Sequence, residues 1–341
     1  MLADDFISYV TGVRRYSERT SEIYSEVLRT FCAFTCGDEC QDVDTTLVRT
    51  LTFNGIRNYE VFLLDELKLG ARTVSLHISV LSSFCRYLMS RGVLQANPAR
   101  LVKRPKCEKR LPVFFRRESV NDYLSSSEAS ADAESLDDLE KCSSALHDGT
   151  PHSSSAWKAA AEIYDRRLRR LIVSMLYETG MRRAELISLQ IGSVDFGRKT
   201  IRITGKGDKM REIPAVSSLI EEISLYLNAA EMAVGRKRGM DEPLLVTSGG
   251  HGLYPVYVDR AVKRELGDVD GITGRKSPHV LRHTLATELL DEGADLYSIK
   301  EMLGHSSLAA TQVYTHNTIE KLKKVYENAH PRAKRGGKHG D

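Results

Sequence analysis

Two histidines, an arginine and a tyrosine fall close together near the end of the chain, in SPHVLRHTLATELLDEGADLYSIKEMLGHSSLAATQVYTH, residues 277–316. His279 and Arg282 are three apart, so they share a face of one helix. His305 follows Gly304 directly, and Tyr314 comes nine residues after it. A tyrosine hydroxyl ionises near ~10, so it attacks only where neighbouring positive charge or a base favours the phenolate. An arginine fork can hold an anionic substrate bidentately, and an imidazole can carry protons. The competing reading is a small helical subdomain with scattered, solvated polar residues, which is the commoner fate of a lone histidine on a helix.

The elements that must hold these groups are legible. Ser277-Pro278 reads as a helix start, a hydroxyl cap followed by proline at the first position. Leu281, Leu285, Leu289 and Leu290 recur at helical spacing and predict the core face. Gly293 and Gly304 end two helices, and Ser306 or Ser307 can cap a third that carries Tyr314. Upstream, Leu168, Leu171, Ile172, Met175 and Leu176 predict a buried helix that ends at Gly180 and leads into Thr179-Gly180-Met181-Arg182. The alternating stretches Thr200–Ile203 and Arg211–Ile213 predict a hairpin around Gly205-Lys206-Gly207-Asp208-Lys209. This GKG is not a nucleotide-binding loop, because the G-x-x-x-x-G-K-S/T spacing is absent. Residues 216–234, through Leu219, Ile223, Leu225 and Leu227, and the stretch from Tyr254 to Leu266 predict two further helices.

Residues 1–100 predict four or five helices: one around Phe6, Tyr9 and Val10, then Ser17–Phe34, Gly55–Leu67 and Arg72–Met89. The last has Val74, Leu81, Phe84 and Leu88 as its apolar stripe. Arg72, Ser75, Ser79, Ser82, Ser83 and Arg86 make a face suited to DNA backbone and bases, and equally to solvent.

Charge is unevenly spread. The net of +3 over 341 residues conceals a segment, 125–155, with seven acids and one lysine. Residues 100–117 hold eight lysines and arginines against one glutamate. Such a block, with Lys103, Arg104 and Lys106 at its centre, neutralises phosphates without reading sequence, although a solvated linker has the same composition. The segment 125–155 is rich in Ser, Asp, Glu and Ala and predicts a disordered surface insertion. No run of eighteen apolar residues exists and the acidic N-terminus is not a signal peptide, so a cytoplasmic chain without membrane contact is expected. Six scattered cysteines suit reduced thiols. Cys32, Cys36 and Cys40 lie four apart but lack an evident fourth zinc ligand, so no metal is expected.

The order His-x-x-Arg, Leu-Gly-His and then Tyr resembles the C-terminal active-site motif of the tyrosine recombinases, the integrase and Xer family. Thr179-Gly180-Met181-Arg182 resembles their first-arginine turn, and ARTVSLHISVLSSFCRYL a helix of their core-binding domain. The terminal His-Pro-Arg-Ala at 330–333 is Xer-like. The resemblance covers residues 1–124 and 156–333.

It implies a mainly α fold with a small β-sheet: a helical core-binding, SAM-like domain over 1–100, a basic linker over 101–117, an α+β catalytic domain over 118–333 carrying the 125–155 insertion, and a basic tail over 334–341. It implies metal- and ATP-independent breakage and rejoining of DNA through a 3′-phosphotyrosyl bond and a Holliday junction, with no cofactor. Arg182, Lys206, His279, Arg282, His305 and the nucleophile Tyr314 are the implied catalytic set. Lys206 lies 24 residues after Arg182, as in Xer-type members. Arg183, the competing arginine, is expected to be structural. Arg72, Arg86, Lys103, Arg104, Lys106, Lys209 and Arg211 are expected on DNA. The implied partners are a double-stranded recombination site and a tetramer, of itself or with a paralogous recombinase, on two such sites, with room for a DNA translocase as activator. A last helix with Ile319, Leu322, Val325 and Tyr326 is expected to dock on a neighbouring protomer. A mobile-element integrase of the same chemistry, a type IB topoisomerase-like enzyme and a DNA-binding protein without activity are the alternatives.

Overall fold

A computed structural model describes residues 1–36, 42–106, 114–133, 154–205 and 210–304. The chain divides into two compact units, Met1–Arg110 and Leu111–Asp341. Lys206, Lys209, His305, Tyr314, Cys40 and the expected last helix lie outside the described residues.

Unit 1 is helical. Helices α1 (Leu2–Ser8), α2 (Glu18–Thr35), α3 (Val43–Thr50) and α4 (Phe53–Val61) surround α5 (Ala71–Ser90). Side-chain oxygens cap three of them in turn: Ser17, Asp42 and Thr52 accept from the amides of Thr20, Thr45 and Gly55, satisfying donors that a first helical turn leaves open. Helix α3 has no counterpart in the sequence reading. It is short and rich in valine and threonine, poor helix formers, and the Asp42 cap was its signal.

Helix α5 is the centre of the unit. Val74, Ile78, Leu81, Phe84 and Leu88 are fully buried, and Phe6 meets the Phe84 and Tyr87 rings at 5.2 and 5.4 Å. Its polar face is narrower than the sequence suggests. Ser82 is buried, and Asn97 donates to its carbonyl at 2.9 Å and its hydroxyl at 3.1 Å. Ser79 donates back to the Ser75 carbonyl at 2.7 Å, as helical serines do. Arg72 and Arg86 remain exposed, as do Lys103, Arg104 and Lys106 beyond the helix.

Unit 2 is built around α7 (Ser155–Thr179), which follows α6 (Arg117–Ala133) in the described chain. Helix α6 runs well into the acidic segment expected to be unstructured from residue 125; residues 134–153 are outside the described ones. Leu168, Leu171, Ile172, Met175 and Leu176 are buried as predicted. Helices α9 (Ser217–Val234), α10 (Pro255–Glu265) and α11 (Pro278–Asp291) pack against α7. Two side chains face the other way from expectation: Leu225 of α9 is exposed and its neighbour Tyr226 is buried, and Leu290 of α11 is exposed. Ser277 and Pro278 do start α11, although no side-chain bond closes the cap.

After α7 the chain turns through Gly180 into the short α8 (Arg183–Ile187). It then forms an antiparallel sheet of β1 (Val194–Asp195), β2 (Thr200–Thr204) and β3 (Met210–Pro214). The register pairs Ile201 with Ile213 and Ile203 with Arg211. Helix α12 (Leu296–Leu303), capped by Asp295, closes the described chain. It packs against both α11 and β3. No described helix is long and apolar enough to cross a membrane.

Candidate active site

Three elements meet at Gly180. Its φ of +61° is left-handed, and a Cβ there would lie 2.6 Å from Leu303 Cδ2 and 3.0 Å from Leu285 Cδ2. Only glycine permits both the turn and the approach of α11 and α12. This turn ends the long helix and presents Arg182 as the N-cap of α8.

The centre of the site is a carboxylate. Glu185 accepts from the Arg182 amide at 2.8 Å and from Arg182 Nη1 at 2.8 Å. It also takes a fork from Arg211, Nη1 at 3.0 Å and Nη2 at 2.7 Å. Both the Glu185 and Arg211 side chains are 6% exposed, whereas that of Arg182 is 39% exposed. Burial pushes the Glu185 carboxyl up, but the Arg211 fork and the Arg182 amide more than reverse this and bring it to about 2.

Three arginines then reach one stretch of backbone at the end of α12. Arg211 Nε donates to the Met302 carbonyl at 3.1 Å, Arg282 Nη2 to Leu303 at 2.6 Å, and Arg182 Nη2 to Gly304 at 2.9 Å. These carbonyls are the ones a helix leaves open at its C-terminus, where its dipole is negative. Arg282 also donates through Nη1 to the Gly180 carbonyl at 2.5 Å. Burial, then the nearby Arg182 charge, lowers the Arg282 guanidinium from 12.5 to about 10. Gly304 is left-handed at φ +66°, and a Cβ on it would lie 3.1–3.3 Å from the Arg211 guanidinium.

The sequence-predicted residues therefore divide. Arg182 and Arg282 are brought to the same turn, immediately before His305. His279 is exposed in the first turn of α11, one turn before the buried Arg282. Arg183 is paired with Asp259, consistent with a structural role. Arg211 requires correction: expected on DNA backbone, it points inward, because strand alternation puts it on the same face as the buried Ile213. That period was readable; the basic side chain in a hairpin hid it. Glu185, which organises the cluster, also went unassigned, although Arg182-x-x-Glu185 has the spacing of a capping box.

Three guanidinium groups around one carboxylate leave the cluster with surplus positive charge, and guanidinium forks suit phosphate. The comparisons identify the family. Residues 153–321 match the phage integrase family. The chain is 32% identical to the tyrosine recombinase XerC of Chlorobaculum tepidum over 338 residues, 96% of this chain and 94% of that one. It is 31% identical to the XerC of Bacillus subtilis, covering 96% and 95% of the two chains. In fold it is similar to the XerH site-specific recombinase bound to difH substrate in a pre-cleavage complex. The TM-score there is 0.59 at 19% identity, over 95% of this chain and 84% of that one. The chain belongs to the phage integrase family of tyrosine recombinases, enzymes of site-specific DNA strand breakage and rejoining.

Proposed function

We propose that this chain performs Xer-like site-specific recombination, with Tyr314 attacking the scissile phosphate while Arg182 and Arg282 hold its non-bridging oxygens. The observation that carries this reading is the convergence of those two arginines on one turn, in a cluster with surplus positive charge. Tyr314 displaces the 5′ oxygen and forms a 3′-phosphotyrosyl bond. His279 takes the phenol proton, Lys206 protonates the leaving oxygen, and His305 hydrogen-bonds the phosphate. The phosphotyrosyl bond conserves the energy of the phosphodiester, so a second strand's 5′ hydroxyl can reverse the step without ATP.

Residues 1–100 form the core-binding domain in this reading, and the basic linker closes the chain around a duplex. Arg72, Arg86, Lys103, Arg104, Lys106 and Lys209 contact DNA. The working assembly is four protomers on two duplexes, of this chain alone or with a paralogous recombinase.

The test is capture of covalent adducts from a pool of nicked, random-sequence duplexes, in which the nick lets the cleaved fragment diffuse away. Wild-type protein is expected to yield denaturant-stable adducts that enrich a sequence, and Tyr314→Phe none. Adduct at wild-type levels in Tyr314→Phe would remove the nucleophile assignment, and no adduct from the wild type would remove the enzymatic reading.

A further inference from the structure

Arg211 is the most deeply buried arginine of the cluster. It is 6% exposed, its fork is spent on Glu185 and its Nε on the Met302 carbonyl. Burying a guanidinium is costly unless it is paired and hydrogen-bonded, and here it is both. The question is what its charge does for the neighbours.

Glu185 holds Arg182 by backbone and side chain, and so fixes the arginine that faces solvent. It does so at an electrostatic cost. A carboxylate against a guanidinium cancels the field that a phosphate would feel, and around the buried Glu185 little water screens the loss. With Arg211 absent, Arg182, Arg282 and Glu185 would sum to one positive charge. With it present, three cations and one anion sum to two. A phosphodiester carries one negative charge, and the pentacoordinate state formed when a phenolate attacks it carries two. Interactions stronger in that state than in the ground state are the ones that accelerate the step.

We propose that Arg211 is a positioning residue that cancels the charge of Glu185, so that Glu185 can fix Arg182 while the cluster keeps two positive charges for the scissile phosphate. This rests on the recombinase reading above. It separates two needs that conflict at one residue: Arg182 must be held by an anion, and must remain effectively cationic. The contact with Met302 adds a second consequence. Arg211 binds β3, the strand that follows Lys206 in sequence, to Met302 in the last turn of α12, three residues before His305.

The experiment uses the full-length protein and a nicked duplex carrying a sequence recovered from the adduct pool. A second duplex is identical except for a neutral methylphosphonate at the scissile position. Single-turnover adduct formation and duplex affinity are measured for wild type, Arg211→Met, Arg211→Lys and the double variant Arg211→Met with Glu185→Gln. The double variant restores two positive charges without restoring any Arg211 contact. On phosphate, Arg211→Met is expected to be slower by about 100-fold and the double variant within about 10-fold of wild type, the scale of removing one aimed charge. Arg211→Lys, which keeps the charge without the fork, is also expected within about 10-fold of wild type. Duplex affinity should change by less than about 3-fold, and the Arg211→Met deficit should shrink to under about 10-fold on the methylphosphonate.

A double variant as slow as Arg211→Met, or the same deficit on both duplexes, overturns the proposal in favour of a packing role; so does an Arg211→Met protein as fast as wild type. If Arg211→Met fails to fold, Arg211→Lys and the double variant decide: both must cut within about 10-fold of wild type. A wild-type protein that forms no adduct on either duplex is a failure of the recombinase reading, and is distinguishable because every variant is compared with wild type on the same DNA.

Discussion

Glu185 and Glu288 are buried carboxyls in the same unit, on helices packed against α7, and they titrate in opposite directions. Burial pushes both upward. Glu185 nevertheless ends at about 2, because Arg211 and Arg182 donate to it. Glu288 is raised to about 7, with only partial relief from the Tyr177 hydroxyl, which donates at 2.6 Å, and from the Arg117 charge. Arg117 itself is paired with Glu292, one turn along α11. One end of α11 therefore concentrates fixed cations and the other end concentrates carboxylates. The same degree of burial makes an ionised anchor in the first region and a proton-binding group in the second. What decides is whether the donors are charged.

The contrast can be broken most sharply at Arg282. On the proposed mechanism Arg282→Ala should lower single-turnover cleavage by roughly 1000-fold, because a preorganised donor to developing charge would be lost. Binding to duplex should fall only a few-fold, read by titration in parallel. A variant that cleaves within 10-fold of wild type would place the chemistry elsewhere.

Next comes the opposite end of the helix. A carboxyl raised in the folded state binds its proton more tightly there than in the unfolded chain. Its contribution to stability is whole below about pH 4.5 and is lost as pH rises through about 7. Glu288→Gln keeps the neutral form at every pH. It should match wild type in urea unfolding at pH 4–5 and exceed it by up to about 3 kcal/mol at pH 8. Glu185 has the reverse sign: its contribution is present above about 4.5 and lost as pH falls through about 2. Equal stability of Glu288→Gln and wild type at pH 8 would show that the carboxyl is ionised at no cost.

A smaller effect should come from Gly304→Ala. The left-handed backbone and the crowding of Arg211 together should cost about 1–3 kcal/mol, seen as a lower thermal midpoint, with cleavage reduced more than binding. The mildest change is expected in unit 1. Arg72→Ala or Arg86→Ala should weaken duplex binding a few-fold and reduce the salt slope by about 1, leaving the rate at saturating DNA unchanged. A lost cleavage step in either variant would contradict their assignment as contacts for affinity.

Much of this arrangement was readable before any coordinates. Periodicity located α7, α9 and the hairpin, because each has an apolar face that long-range packing only reinforces; α11 was marked by its Ser277-Pro278 start and its leucines, although its buried side also carries Arg282, Thr284 and Glu288. Gly180 and Gly304 marked helix ends, since left-handed turns favour glycine. What periodicity could not supply was the partner of a polar side chain. Arg211 sits where strand alternation puts a core residue, and only the neighbouring Glu185 makes that position tolerable for a cation. Ser82 failed for the same reason: its hydroxyl is satisfied by Asn97, fifteen residues away in sequence. Helix α3 was missed because its composition is weakly helical and its support comes from packing on α2.

The burial of Arg282 also restricts which cation can stand there. The site draws a guanidinium from 12.5 to about 10, which still leaves it fully charged in any ordinary buffer. An ammonium begins at ~10.4, and the same desolvation would push it downward from that lower start. A lysine at this position would hold its charge less securely than the arginine does. The choice of arginine over lysine at Arg282 is thus a choice about proton affinity as much as about fork geometry, made by the desolvation of the pocket that holds it.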